Sequence, residues 1–177
     1  MAQNVEIKAR IANPASLRAR IVGLGALLAD TQEQTDRYYE LNGSERLKLR
    51  TIDNTRAELI RYRRPEIGSV RRSDYEITPA RDVAAAKCLV PKQEPLVIVR
   101  KRREIHLLEN VRFHLDEVEG LGTFLELEAV VDAEHDEAVC RRQIERITLT
   151  LQLDPQDFIR ASYAEMARER AVGKLRK

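Results

Sequence analysis

Five short stretches of this chain set charged side chains two residues apart: Leu47-Lys48-Leu49-Arg50, Arg61-Tyr62-Arg63, Val99-Arg100-Lys101-Arg102-Arg103, Arg112-Phe113-His114-Leu115-Asp116 and Phe124-Leu125-Glu126-Leu127-Glu128. Successive side chains of a β-strand point to opposite faces, so that spacing gathers the charges on one face. A sixth stretch opens the chain. In Asn4-Val5-Glu6-Ile7-Lys8-Ala9-Arg10-Ile11 the charged residues Glu6, Lys8 and Arg10 share one face, and Val5, Ile7 and Ile11 share the other. Any one such strand is accounted for by an antiparallel sheet with one face in water. Taken together they are sorted by sign, with almost only Lys and Arg on the middle strands and acids at Glu6, Glu126 and Glu128. That segregation suits a ligand with many negative oxygens together with a divalent cation, because guanidinium and ammonium groups bind phosphate and carboxylates hold Mg²⁺ or Mn²⁺. Parity leaves two choices open, Lys101 with Arg103 against Arg100 with Arg102, and Arg63 against Arg64.

The rest of the sequence narrows the chemistry. With 31 Lys and Arg against 29 Asp and Glu the net charge is +2, so any anion site has to be local. The chain has no Trp, 5 Tyr and 3 Phe, few platforms for stacking bases, and nucleic acid is not an expected partner. There is no phosphate-binding G-x-x-x-x-G-K-[ST] loop; Gly23-Leu24-Gly25 reads as a helix irregularity and Gly120-Leu121-Gly122 as a turn. His106, His114 and His135 show no zinc-type spacing, and no serine sits in a G-x-S-x-G elbow. No apolar run approaches the roughly 18 residues of a membrane helix, and the start of the chain has no secretion-signal pattern, so a cytoplasmic protein without membrane contact is expected. Cys88 and Cys140 fall in separate expected helices and read as two reduced core cysteines.

Elements must position these residues. Asn13-Pro14 is an N-cap followed by proline at the first helical position, with Leu17, Ile21, Leu24 and Leu28 at helical spacing. The same device predicts a helix from Thr78-Pro79 through Val83 to Val90, and another from Asp154-Pro155 carrying Ile159, Tyr163 and Met166. A further helix is expected over 134–151. Strands are expected at 33–41, 46–52, 57–64, 73–78, 96–107, 111–118 and 123–131, besides the first. Short turns at Asn42-Gly43-Ser44, Arg64 to Gly68, Leu108-Glu109-Asn110 and Gly120-Leu121-Gly122 make neighbours antiparallel. The outcome is one α+β domain, residues 1–177, built on a mainly antiparallel sheet with helices on its apolar side and its charged side free. Curled to closure, such a sheet would put the charges inside.

Several motifs in order carry a resemblance: E-x-K in the first strand, Leu47-Lys48-Leu49-Arg50, Tyr62-Arg63-Arg64-Pro65, Lys101-x-Arg103, the segment from His114-Leu115-Asp116 through Gly120-Leu121-Gly122-x-Phe124-x-Glu126-x-Glu128, and Ser162-Tyr163. The chain resembles the CYTH superfamily, the triphosphate tunnel metalloenzymes, and is most similar to its class IV adenylate cyclase branch. The resemblance implies a closed eight-stranded antiparallel β-barrel, with amphipathic helices packed outside and a polar lumen for a triphosphate and divalent metal. It implies metal ligands at Glu6, Glu126 and Glu128, with Glu76 at the mid-chain acidic position, and Mg²⁺ or Mn²⁺ as cofactor. It assigns the phosphates to Lys8, Lys48, Arg50, Arg63, Lys101 and Arg103, and places Lys8, Arg63, Lys101, Arg103 and Asp116 in catalysis. ATP or another triphosphate is the implied partner, and because relatives in the cyclase branch are often dimers a homodimer is left open. The implied reaction is cyclisation of ATP to cyclic AMP and pyrophosphate. The alternatives are a triphosphatase acting on inorganic or organic triphosphate, and a binding module with weak turnover. The last follows from a departure: the family pattern E-x-E-x-K has Asn4 at its first acid, and a neutral oxygen ligates Mg²⁺ far less strongly than a carboxylate.

Overall fold

A computed structural model describes residues 2–40, 46–63 and 71–175 of the chain. Its elements are β1 (Ala2–Arg10), α1 (Pro14–Gly23), β2 (Leu27–Glu40), β3 (Arg46–Ile52), β4 (Arg56–Arg63), β5 (Arg71–Ala80), α2 (Val83–Cys88), β6 (Val97–Leu108), β7 (Val111–Val118), β8 (Gly122–Val130), α3 (Glu137–Thr150), a 3-10 turn (Pro155–Asp157) and α4 (Tyr163–Leu175). The strands form one curled antiparallel sheet in the order β1-β5-β4-β3-β2-β6-β7-β8, and β8 also pairs with β1, Lys8 facing Glu126 and Glu6 facing Glu128. The expected turns at Asn42-Gly43-Ser44 and Arg64 to Gly68 lie outside the described residues.

Period-two alternation divides the side chains as the opening strand foretells. Val5 and Ile7 of β1, Phe113 and Leu115 of β7, and Leu125 and Leu127 of β8 pack against Leu17 and Ile21 of α1 and Cys140, Ile144 and Ile147 of α3. A second cluster joins Leu47, Leu49, Ala57 and Leu59 of β3 and β4 to Ala86 of α2; of the two expected core cysteines Cys140 is buried, but Cys88, on the outer side of this short helix, is exposed. The opposite face bears the ionic residues. At one end it turns apolar, where Tyr38, Val99, Val118, Phe124 and Tyr163 pack with Ile159 and Met166, so that the start of α4 plugs the interior. Burial of apolar surface on the outside and at this plug is what makes room for charge between them.

Where the elements differ from expectation, local hydrogen bonding explains it. Asn13 caps α1 as expected, its Oδ1 accepting from the Ser16 amide at 3.0 Å. Replacing Asn13 by Ala should cost about 1 kcal/mol of stability, read as a lowered urea midpoint at unchanged slope. Helix α1 ends in paired bonds, Ala26 N–H to Ile21 O at 3.4 Å and Gly25 N–H to Val22 O at 2.9 Å, with Gly25 at φ +90°. That stop launches β2 at Leu27, six residues before the expected start at 33. Thr78-Pro79 does not cap a helix; both residues belong to β5, and Asp82 caps α2 by accepting from the Ala85 amide at 2.7 Å. Pro79 is tolerated because β1 pairs with β5 only from Arg71 to Tyr75, leaving one side of β5 without a ladder at 79. Asp154-Pro155 opens only the 3-10 turn. Ile159 then donates its amide to Lys8 O at 2.9 Å, and α4 starts at Tyr163 behind a reciprocal cap between Ser162 and Glu165.

Candidate functional site

The concave face of the sheet surrounds a cavity of about 310 Å³. Its charged lining comes from cross-strand neighbours, whose Cβ atoms in an antiparallel ladder lie only about 4.5–5.5 Å apart. Lys8 of β1 faces Glu126 of β8, and Glu126 in turn faces His114 of β7; Arg103 of β6 faces Asp116 of β7; Asp36 of β2 faces Arg50 of β3. At these pairs the fold sets acid against base across neighbouring strands, while Glu6 of β1 faces Glu128 of β8.

Two buried carboxylates anchor the cations. Asp36 accepts two bonds from the Arg50 guanidinium, at 2.8 and 2.9 Å, and lies 3.5 Å from Lys48 Nζ and 3.4 Å from Lys101 Nζ. Burial alone would raise its pKa, but Arg50, Lys48 and Lys101 outweigh that and hold the carboxyl well below the usual range. Asp116 accepts from Arg103 at 2.6 and 2.5 Å and from the Tyr163 hydroxyl at 2.9 Å. It too is pulled down, because Arg103 and Lys101 exceed the effect of its burial. Burial and Asp116 push the Tyr163 phenol well above its ordinary value, which keeps it a donor. Lys101, enclosed beside Arg103, has its pKa lowered despite Asp116 and Asp36.

Nearer the cavity, Glu126 bridges Arg103 at 2.5 Å and Lys8 at 3.2 Å, and Lys8 also donates to Ala161 O at 3.2 Å and rests 4.0 Å from the centre of the Tyr163 ring. Glu128 lies 3.4 Å from His114 Nδ1. Donor atoms of His114, Glu126 and Glu128 all fall within 4.8 Å of one another, close enough for one divalent ion with bonds of about 2.0–2.2 Å after small side-chain rotations. Three buried atoms of residues lining this cavity have no hydrogen-bond partner among the described residues, Asn4 Oδ1, Gln34 Oε1 and His114 Nδ1. Carboxylates together with orphaned ligand atoms fit a divalent cation.

Of the residues singled out in the sequence, Glu6, Lys8, Lys48, Arg50, Lys101, Arg103, Glu126 and Glu128 line the one cavity. The open choice on β6 falls to Lys101 and Arg103, both buried, while Arg100 and Arg102 are exposed. Asp116 stands behind Arg103, from which it accepts two hydrogen bonds, and is not among the residues lining the cavity. Glu76 lies apart from the others: it is exposed and alternates with Tyr75 and Ile77, which do line the cavity, so pleating puts it on the opposite face. The side chain of Arg63, and Arg64 entirely, lie outside the described residues.

Sequence reasoning missed Asp36 and its neighbours Gln32, Gln34 and Tyr38 on β2. Their spacing of two was visible, but Glu33, Thr35 and Arg37 between them are polar as well, so the strand has no apolar contrast to fix its faces. His114 was passed over because zinc-type spacing along the chain says nothing about partners across a ladder. Tyr163 is visible in the sequence as a helix-face residue and as part of the Ser162-Tyr163 motif, but nothing along the chain shows its contacts with Asp116 and Lys8.

A family model described as the CYTH domain matches residues 2–163. A protein of Methanocaldococcus jannaschii named "Putative adenylate cyclase" is 28% identical over 171 residues, covering 92% of this chain and 97% of that protein. Among solved structures, the PH1012 protein from Pyrococcus horikoshii is 28% identical with a TM-score of 0.78, covering 92% of this chain and 98% of that one. The Hippeastrum protein HpAC1, described as showing a dominant triphosphatase activity, shares the fold at 18% identity and a TM-score of 0.61, over 97% of this chain and 96% of its own.

Proposed function

The chain belongs to the CYTH domain family, and from that premise we propose that it is a divalent-metal-dependent enzyme acting on a triphosphate, most similar in reaction to the class IV adenylate cyclases. The observation that carries the reading is the convergence of Lys8, Lys48, Arg50, Lys101 and Arg103 on one enclosed face beside Glu126 and Glu128. In this reading the whole chain is one domain, and the curled sheet works as a closed tunnel, plugged at the Tyr163 end, that receives the phosphate chain.

A divalent ion held by Glu126 and Glu128, with Glu6 opposite Glu128, would supply charge neutralisation at the reacting oxygens. The protein's own part is electrostatic. Arg103, fixed by Asp116, and Arg50, fixed by Asp36, present guanidinium groups whose orientation is set before the ligand arrives. Lys8, Lys48 and Lys101 add ammonium groups that follow charge as it moves between phosphates. The 3′ oxygen of ATP attacks the α-phosphorus as the bond to the β-phosphate breaks, pyrophosphate leaves, and the hydroxyl proton is lost to water. Held on three sides by cations, the triphosphate is lined up for this displacement, and no side chain has to form a covalent intermediate.

Incubation with Mg²⁺ or Mn²⁺ and either ATP or inorganic triphosphate, followed by separation of products, tests the reading. Cyclic AMP and pyrophosphate in equal amounts are expected from ATP. Orthophosphate without cyclic AMP would make the protein a hydrolase, and tight binding without product would make it a binding module. Separately, Arg103→Ala should weaken equilibrium binding of triphosphate by more than about tenfold, since a bidentate cation in a low-dielectric cavity is removed. Arg103→Lys, which keeps charge against Asp116, should lose less. An unchanged dissociation constant in Arg103→Ala would place Arg103 outside the binding surface.

A further inference from the structure

We propose that His114 completes the metal site with Glu126 and Glu128, and that this mixed nitrogen and oxygen set selects a first-row transition ion, Mn²⁺ as the probe, over Mg²⁺. The proposal rests on the metal-dependent reading above and adds to it the identity of the ion.

His114 is 5% exposed, and its Nδ1 has no hydrogen-bond partner among the described residues although Glu128 Oε1 is 3.4 Å away. Leaving a buried polar atom unsatisfied costs about 1–3 kcal/mol, so such an atom in a folded protein calls for a missing partner. A neutral Nδ1 beside the Glu128 carboxylate is repulsive, so the position calls for a positive centre, either a proton on His114 or a cation shared with the carboxylates. The cross-strand register supplies that arrangement: His114 on β7 directly faces Glu126 on β8, and Glu128 follows two residues on along the same face. One ion placed among the three would satisfy the imidazole and both carboxylates together.

Donor chemistry then decides between ions. Mg²⁺ is a hard ion that takes oxygen ligands in near-ideal octahedral geometry, and imidazole is a poor partner for it. First-row transition ions accept imidazole alongside carboxylate. Asn4 pushes the same way. It lines this cavity with its own buried, unpartnered Oδ1, and as an amide it brings no charge, so the site has one fewer carboxylate with which to strip water from Mg²⁺.

The test reads the metal directly. Mn²⁺ is titrated into the intact protein without nucleotide, free Mn²⁺ is followed by electron paramagnetic resonance, and the bound ion is examined by electron spin echo envelope modulation. The expected result is one bound Mn²⁺ showing the ¹⁴N modulation of a coordinated imidazole, displaced by Mg²⁺ only at more than about tenfold higher free concentration. Protein labelled with ¹⁵N-histidine, which carries no folding risk, should show the modulation replaced by the ¹⁵N pattern. His114→Gln, checked for folding by circular dichroism, should lose the modulation and bring the two ions closer in affinity. Bound Mn²⁺ without nitrogen modulation in the unaltered protein would overturn this proposal and leave the metal-dependent reading standing. No bound Mn²⁺ either alone or with inorganic triphosphate added would overturn both.

Discussion

Glu126→Gln lowers turnover of the triphosphate substrate by at least roughly 10²–10³-fold while the protein stays folded; this is the largest effect expected of any single substitution. Glutamine keeps the shape of glutamate and removes its charge. Glu126 is where the acids and bases of the interior meet, bonded to Arg103 at 2.5 Å and Lys8 at 3.2 Å and facing His114 across the ladder. Burial would raise the pKa of its carboxyl, yet Lys8 and Arg103 hold it well below the ordinary range, so it is ionised when a cation arrives. The fold survives because both cations keep other partners, Arg103 its bidentate pairing with Asp116, and Lys8 the Ala161 carbonyl and the Tyr163 ring. Steady-state kinetics beside thermal unfolding check this, and retained activity in a folded variant would remove Glu126 from the metal site.

Asp36→Asn acts on stability instead. Asp36 is fully buried and faces three cations, Arg50, Lys48 and Lys101. Removing one partner of a buried ionic set leaves uncompensated charge and typically costs about 3–5 kcal/mol. The pH dependence follows from the depressed pKa of Asp36. Its stabilising effect is fully present above the unfolded carboxylate value of about 3.9 and is lost as pH falls from there toward the lower folded value. Urea unfolding should therefore show the widest gap between the two proteins near neutral pH, closing below about pH 4. A gap independent of pH would show that Asp36 is not ionised in the fold. Triphosphate binding should also stabilise Asp36→Asn more than the unaltered protein, because the ligand brings negative charge to cations that have lost theirs.

The sequence was legible wherever a strand had one apolar face. In β1, β3, β7 and β8 the contrast between Val5 and Glu6, Leu49 and Arg50, Phe113 and His114, or Leu125 and Glu126 fixed which residues point inward, and the structure agrees. It was illegible where contrast failed. Polar residues on both faces of β2 hid Asp36, and on β6 four consecutive cations, Arg100 to Arg103, left parity undecided until the fold buried Lys101 and Arg103. Proline misled twice for one reason: it marks where an amide is not needed, and that is true of the unladdered end of β5 at Pro79 and of a 3-10 turn at Pro155 as well as of a helix start. His114 shows a deeper limit. Metal ligands gathered across a ladder have no characteristic spacing along the chain, so only the register of β7 against β8 reveals them.

A diffraction structure of the protein with Mn²⁺ and inorganic triphosphate tests the central claim most directly. It is predicted to show the phosphate chain inside the curled sheet, its oxygens within hydrogen-bond reach of Lys8, Arg50, Lys101 and Arg103, and the ion against Glu126 and Glu128. Triphosphate bound only on the outer surface, with the ion pairs of Asp36, Asp116 and Glu126 undisturbed and the interior holding nothing but water, would contradict it.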